Sequence, residues 1–180
     1  HLKLSLIHNG IIENFAELKA ELLDAGVKFS SETDSEVAAH LVAREYEKSG
    51  DLVTAFRAVV NRLMGAFTLL CIHEDHKDLV LAARRNSPLV IGLGDGENFL
   101  GSDVAAFVAH TKRAVSVGQD QLVELRSDSV TVTTFEGDPV SPEEFTVDWD
   151  ASAASKGGWP SFMAKEIADQ PQAVGDTLMG

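Results

Sequence analysis

The chain has 180 residues and a mass of 19.3 kDa, room for one domain with the start of another and for a core that needs no covalent staples. Fifteen basic against 28 acidic residues leave a net charge of −13, the reverse of the balance by which duplex-binding domains hold phosphates, so nucleic acid is excluded as a general partner. No apolar run approaches the ~20 residues that cross a bilayer. The basic-then-apolar start of a signal peptide is missing, and the single Cys71 inside Leu69-Leu70-Cys71-Ile72 suits a reduced, cytoplasmic setting with no membrane contact.

In chain order, Lys3 to His8 reads as a short strand running into Asn9-Gly10, with Leu4 and Leu6 on one side, and Ile11 onward as a loop entering a helix. Phe15, Leu18, Leu22 and Leu23 then recur at helical spacing, stopped by Gly26. A second helix is expected from Thr33-Asp34-Ser35-Glu36, which has the spacing of a capping box, to Ser49-Gly50. A third carries Leu52, Ala55, Phe56, Val59, Val60 and Leu63, the stripe of a helix lying on a sheet. From Ala66 the texture is β: Phe67 to Ile72, Leu79 to Ala83, Leu89 to Leu93, Asn98 to Gly101, Ala114 to Val117, Gln121 to Leu125 and Val130 to Phe135 are predicted strands, interrupted by a short helix at Val104 to His110. Clustered helices beside clustered strands predict an α+β layering with antiparallel sheets. Gly137 to Gly158 reads as a surface connection leading out of the domain, and Phe162 to Ile167 as the start of a helix.

Most tempting motifs dissolve on inspection. Gly92-Leu93-Gly94-Asp95-Gly96 fails the dinucleotide spacing, because residue 97 is Glu and no helix follows; a hairpin turn explains it. His73-Glu74-Asp75-His76 lacks the same-face helical spacing of a metal motif and reads as a solvated turn. Cys71 has aliphatic neighbours, the setting of an inert thiol. No metal or cofactor pattern remains.

Two features carry chemistry. Asn9-Gly10 has the sequence of a two-residue hairpin turn, but no strand is expected directly after it. The alternative is a pair of donors at a strand end, a glycine N–H that a ligand can approach closely and an Asn amide, together able to hold a developing oxyanion. Asp34 is either a first-turn carboxylate favoured by the helix dipole or, with Thr33, Glu36 or Ser35 serving the cap, an acid free to pair with the α-ammonium of an amino-acid ligand.

His8-Asn9-Gly10-Ile11-Ile12-Glu13-Asn14 and Ser31-Glu32-Thr33-Asp34-Ser35-Glu36-Val37-Ala38-Ala39-His40-Leu41 resemble the glutaminase domain of class II glutamine amidotransferases. Ser87-Pro88-Leu89-Val90-Ile91-Gly92-Leu93-Gly94, Glu97-Asn98-Phe99-Leu100-Gly101-Ser102-Asp103, and Phe162-Met163-Ala164-Lys165-Glu166-Ile167 with Gln170-Pro171 are similar to the branch of that family joined to a sugar-phosphate isomerase domain. The resemblance implies an N-terminal-nucleophile hydrolase fold, an αββα sandwich of two antiparallel sheets between helical layers. It implies hydrolysis of glutamine to glutamate, with the ammonia passed to fructose 6-phosphate to give glucosamine 6-phosphate. Asn9 and Gly10 would form the oxyanion hole and Asp34 would hold the glutamine α-ammonium, in one shared pocket.

The family's nucleophile is a cysteine at the mature N-terminus, activated by its own α-amine. Residue 1 here is His, and the arginine loop that grips the glutamine carboxylate is missing. The expectation is an N-terminally incomplete glutaminase domain over residues 1–150, inactive alone, followed by a linker over 151–180 toward an isomerase domain. Exposed sheet edges and a homo-oligomer follow from the same expectation. A non-catalytic module on this fold, or another class II amidotransferase such as one that makes asparagine, stands as the alternative.

Overall fold

The structure, a computed structural model, describes residues 3–148 and 158–179. Its elements in chain order are β1 (Leu4–Ile12), α1 (Phe15–Asp24), α2 (Asp34–Ser49), α3 (Leu52–Val60), β2 (Gly65–His73), β3 (His76–Arg85), β4 (Val90–Leu93), β5 (Asn98–Gly101), a 3₁₀ turn (Val104–Ala106), β6 (Arg113–Ser116), β7 (Gln121–Leu125), β8 (Val130–Thr134), β9 (Pro139–Val140), β10 (Glu144–Thr146) and α4 (Phe162–Met179). One sheet has the order β1-β2-β3-β7-β8-β9 and the other β10-β6-β4-β5; every pairing is antiparallel.

Strand β3 shows why these layers form. Leu79, Leu81 and Ala83 join the cluster beneath α1, α2 and α3, whereas Val80 and Ala82 join the cluster against the second sheet, so period-two alternation buries both faces of one strand. The helix-side core is built on Phe56, Leu41, Leu22, Ile12, Phe67 and Leu69, all at 0 % exposure. The inter-sheet core joins Leu89, Ile91, Val115 and Val117 to Val123, Leu125 and Val132. Burying a side chain of this size contributes roughly 1.5–3 kcal/mol, which fixes the helices on one face of the large sheet.

The expected helices and strands form, with four differences. Asn9-Gly10 is neither a turn nor a strand end: β1 continues to Ile12, pairing with β2 from Leu4↔His73 to Ile12↔Gly65. Backbone pairing of consecutive residues overrides the local turn preference of Asn-Gly. The helix expected over Val104 to His110 is reduced to the 3₁₀ turn at Val104–Ala106, capped by Asp103. The connection after Gly137 is not featureless, since β9 pairs with β8 and β10 with β6; residues 149–157, and with them the domain boundary expected at 150/151, lie outside the described residues. His73-Glu74-Asp75-His76 is a turn between β2 and β3, but His73 is buried and packs on Tyr46, with ring centroids 4.5 Å apart, rather than facing water.

Candidate active site at the open edge of the large sheet

Strand β1 lies at the edge of its sheet among the described residues, so half of its backbone groups have no strand partner. Which half follows from the ladder. Glu74 N–H donates to Lys3 O at one end and Glu13 N–H to Met64 O at the other, both 2.8 Å, so the odd-numbered residues exchange hydrogen bonds with β2 throughout. The N–H groups of His8, Gly10 and Ile12 therefore point to the open edge. The side chains of the same even-numbered residues turn toward the helices, as the burial of Leu4 and Ile12 requires, while Ile7 and Ile11, each 65 % exposed, mark the opposite face.

Gly10 cannot be another residue in this backbone. Its φ is +126°, and a Cβ there would stand 2.1 Å from Ala66 O of β2. Only a residue without a Cβ fits against β2 here, and its N–H faces the open edge.

Helix α2 delivers Asp34 to that same edge. Thr33 caps the helix, its Oγ1 accepting from Glu36 N–H at 3.4 Å, so Asp34 is not consumed in capping. The reciprocal half of the expected capping box is absent: the Glu36 carboxylate instead accepts from Ser30 N–H (2.7 Å) and Ser31 N–H (2.6 Å), and from both serine hydroxyls. These bonds, the Ser31 hydroxyl first, hold Glu36 down to about 2 and tie the loop ahead of α2 in place. Asp34 Oδ2 then accepts Ile12 N–H at 2.9 Å, and Oδ1 lies 3.3 Å from His8 Nδ1, which is also 3.2 Å from Ser35 Oγ. Two residues of strand, about 7 Å, separate the Gly10 N–H from the one that Asp34 holds.

Asn9 occupies a different side of the strand. It lines a cavity of about 210 Å³ between the sheets with Ile7, His8, Thr68, Pro88, Leu100 and Ser102 among others, and Asp34 is not among the lining residues. Thr68, paired with Asn9 across the ladder, donates its hydroxyl to Pro88 O at 3.1 Å and so fastens the Ser87-Pro88 loop to the cavity wall. The structure thus brings Gly10 and Asp34 to one edge and sets Asn9 at the adjoining cavity, which corrects the expectation of one shared pocket: alternation along β1 turns the residue 9 side chain away from the helix face that carries Asp34. His8 and Thr68 were missed by sequence reasoning. For His8 the available signal was period two, which puts it on the same face as Leu4 and Leu6.

Among the described residues the other chemistry-bearing groups form no second centre. Cys71 is buried, and burial pushes its thiol up to about 12, the setting of an inert sulfur. No group of three or more His, Cys, Asp or Glu side chains is placed to hold a metal ion among the described residues. None of the described helices is long and apolar enough to cross a membrane.

This arrangement of two stacked antiparallel sheets with helices on the large one is the fold of N-terminal-nucleophile hydrolases. It is shared with glutamine phosphoribosylpyrophosphate amidotransferase from B. subtilis, solved with ADP and GMP, at a TM-score of 0.61 and 26 % identity over 73 % of this chain and 29 % of that one. A family model described as a glutamine amidotransferase domain matches residues 1–109, and the chain belongs to that family. It is 64 % identical over 178 residues to a glutamine–fructose-6-phosphate aminotransferase (isomerizing) of Leifsonia xyli and 60 % identical to that of Streptomyces coelicolor. Both alignments cover 99 % of this chain, which spans 29 % of the length of each relative.

Proposed function

We propose that the chain is the glutamine-hydrolysing part of an enzyme that transfers ammonia from glutamine to fructose 6-phosphate, giving glucosamine 6-phosphate and glutamate. The observation that carries the reading is the convergence of the Gly10 N–H and the Asp34 carboxylate on one open strand edge. The identity to the Leifsonia and Streptomyces aminotransferases supports the acceptor sugar. In this reading a cysteine thiol supplied ahead of residue 1 adds to the carboxamide carbon, and the carboxamide oxygen takes the negative charge. Gly10 N–H and the Asn9 amide donate to that oxygen, and Asp34 holds the α-ammonium so that the carboxamide reaches the donors. The C–N bond then breaks, ammonia leaves with the proton that the thiol gave up, and water cleaves the thioester to glutamate.

Residues 1–150 form the glutaminase domain and 151–180 lead toward the part that takes the sugar phosphate. The setting is the cytoplasm, and copies of the enzyme associate. The test is Asp34→Ala in the full-length enzyme, assayed for amino sugar with glutamine and, separately, with ammonium salt. The glutamine KM rises about tenfold or more, the worth of a charge-assisted hydrogen bond, while the ammonium-driven rate holds. An unchanged glutamine KM contradicts the assignment.

A further inference from the structure

We infer that His8 is a positioning residue for glutamine: it fixes the Asp34 carboxylate against the strand that carries the oxyanion donors, and so sets the spacing between the two ends of the bound amino acid. The inference rests on the proposed role of Asp34 and goes beyond it.

The geometry around the ring selects one tautomer. The His8 side chain is 2 % exposed, and its Nε2 is buried with no hydrogen-bond partner among the described residues. A proton on Nε2 would be an unmatched buried donor, and the bare lone pair left on Nδ1 would face the Asp34 carboxylate oxygen at 3.3 Å. With the proton on Nδ1 both faults vanish. The N–H then donates to Ser35 Oγ at 3.2 Å with Asp34 Oδ1 close beside it at 3.3 Å, and the bare Nε2 is the cheaper group to leave unpaired.

The consequence is a three-point attachment of the first turn of α2 to β1: His8 to Ser35, His8 to Asp34, and Ile12 N–H to Asp34. Each oxygen of the Asp34 carboxylate has one protein contact and keeps lone pairs for a ligand cation. His8 stands directly before Asn9 and Gly10, so the group that orients the acid and the groups that meet the oxyanion belong to one rigid stretch of backbone. A ligand clamped at one end is then delivered to the other without a search, the contribution that orientation makes to catalysis.

The test uses the full-length enzyme and substitutions that carry an amide N–H in different places. Asn presents its N–H near the position of His Nδ1, and Gln near that of Nε2. His8→Gln and His8→Ala raise the glutamine KM about ten- to a hundredfold, with a much smaller change in kcat, and His8→Asn holds the KM within about threefold. The second substrate is 4-carbamoylbutanoate, glutamine without its α-amino group. Its kcat/KM is the same in wild type and in all three variants, and His8→Ala added to Asp34→Ala raises the glutamine KM no further. Equal losses on both substrates, a fall in kcat with KM unmoved, or no difference between His8→Asn and His8→Gln would overturn the inference and leave His8 a packing residue. If Asp34→Ala raises the KM and the His8 variants do not, His8 alone loses its role; if Asp34→Ala itself does nothing, the ammonium reading falls and takes this inference with it.

Discussion

At the scale of single residues, Gly10 carries the most constraint. A side chain there meets Ala66 O at 2.1 Å, and its φ of +126° is one that L residues rarely adopt. Strained backbone of this kind costs of order 1–3 kcal/mol before the clash is counted. Gly10→Ala therefore lowers the free energy of unfolding by at least that much, read as a lower urea midpoint at an unchanged slope; an unshifted midpoint contradicts the geometry. The need for glycine was legible in the sequence, but its reason was not. Asn9-Gly10 has the composition of a turn, and only the pairing with Thr68 and Phe67, more than fifty positions further along, shows that the residue is squeezed by a neighbouring strand. Asp34 divides the same way. Its freedom from capping follows from Thr33 beside it, whereas its grip on Ile12 N–H is a contact between elements that no local pattern encodes.

At the scale of elements, the start of α2 matters most because it delivers Asp34. The loop ahead of it is held by Glu36, whose carboxylate the Ser31 and Ser30 hydroxyls and N–H groups keep at about 2, below its ordinary 4.5. The folded value is the lower one, so this contact contributes its full stabilisation above pH 4.5 and loses it as the pH falls through about 2. Thermal melts across that window give the check: wild type loses more stability on acidification than Glu36→Gln, which has no proton to gain, and parallel losses would contradict the contact. The helices were legible because their apolar stripes repeat at 3.6 residues, as in Leu52, Ala55, Phe56 and Val59. The short helix expected at Val104 to His110 was not. Phe107 and Val108 are buried at the small sheet with Phe99, and that packing takes the place of a continued helix.

At the scale of the molecule, two sheets and a helical layer leave one long strand edge without a strand partner among the described residues, and the candidate site is on it. The α+β layering could be read from clustered periodicities, but strand order could not, because β1 pairs with β2 across three intervening helices. The site was half legible for the same reason: its residue types stand in two short motifs, and the sheet decides which faces and edges they share. The central claim is that the Gly10 N–H at this edge and the Asn9 amide at the adjoining cavity together stabilise negative charge on a carboxamide oxygen, and the most direct measurement is steady-state glutamine hydrolysis by Asn9→Ala in the full-length enzyme. The account predicts a fall in kcat of about a hundred- to a thousandfold with the glutamine KM nearly unchanged, since the donor acts on charge that exists only in the transition state. A kcat close to that of wild type would contradict it.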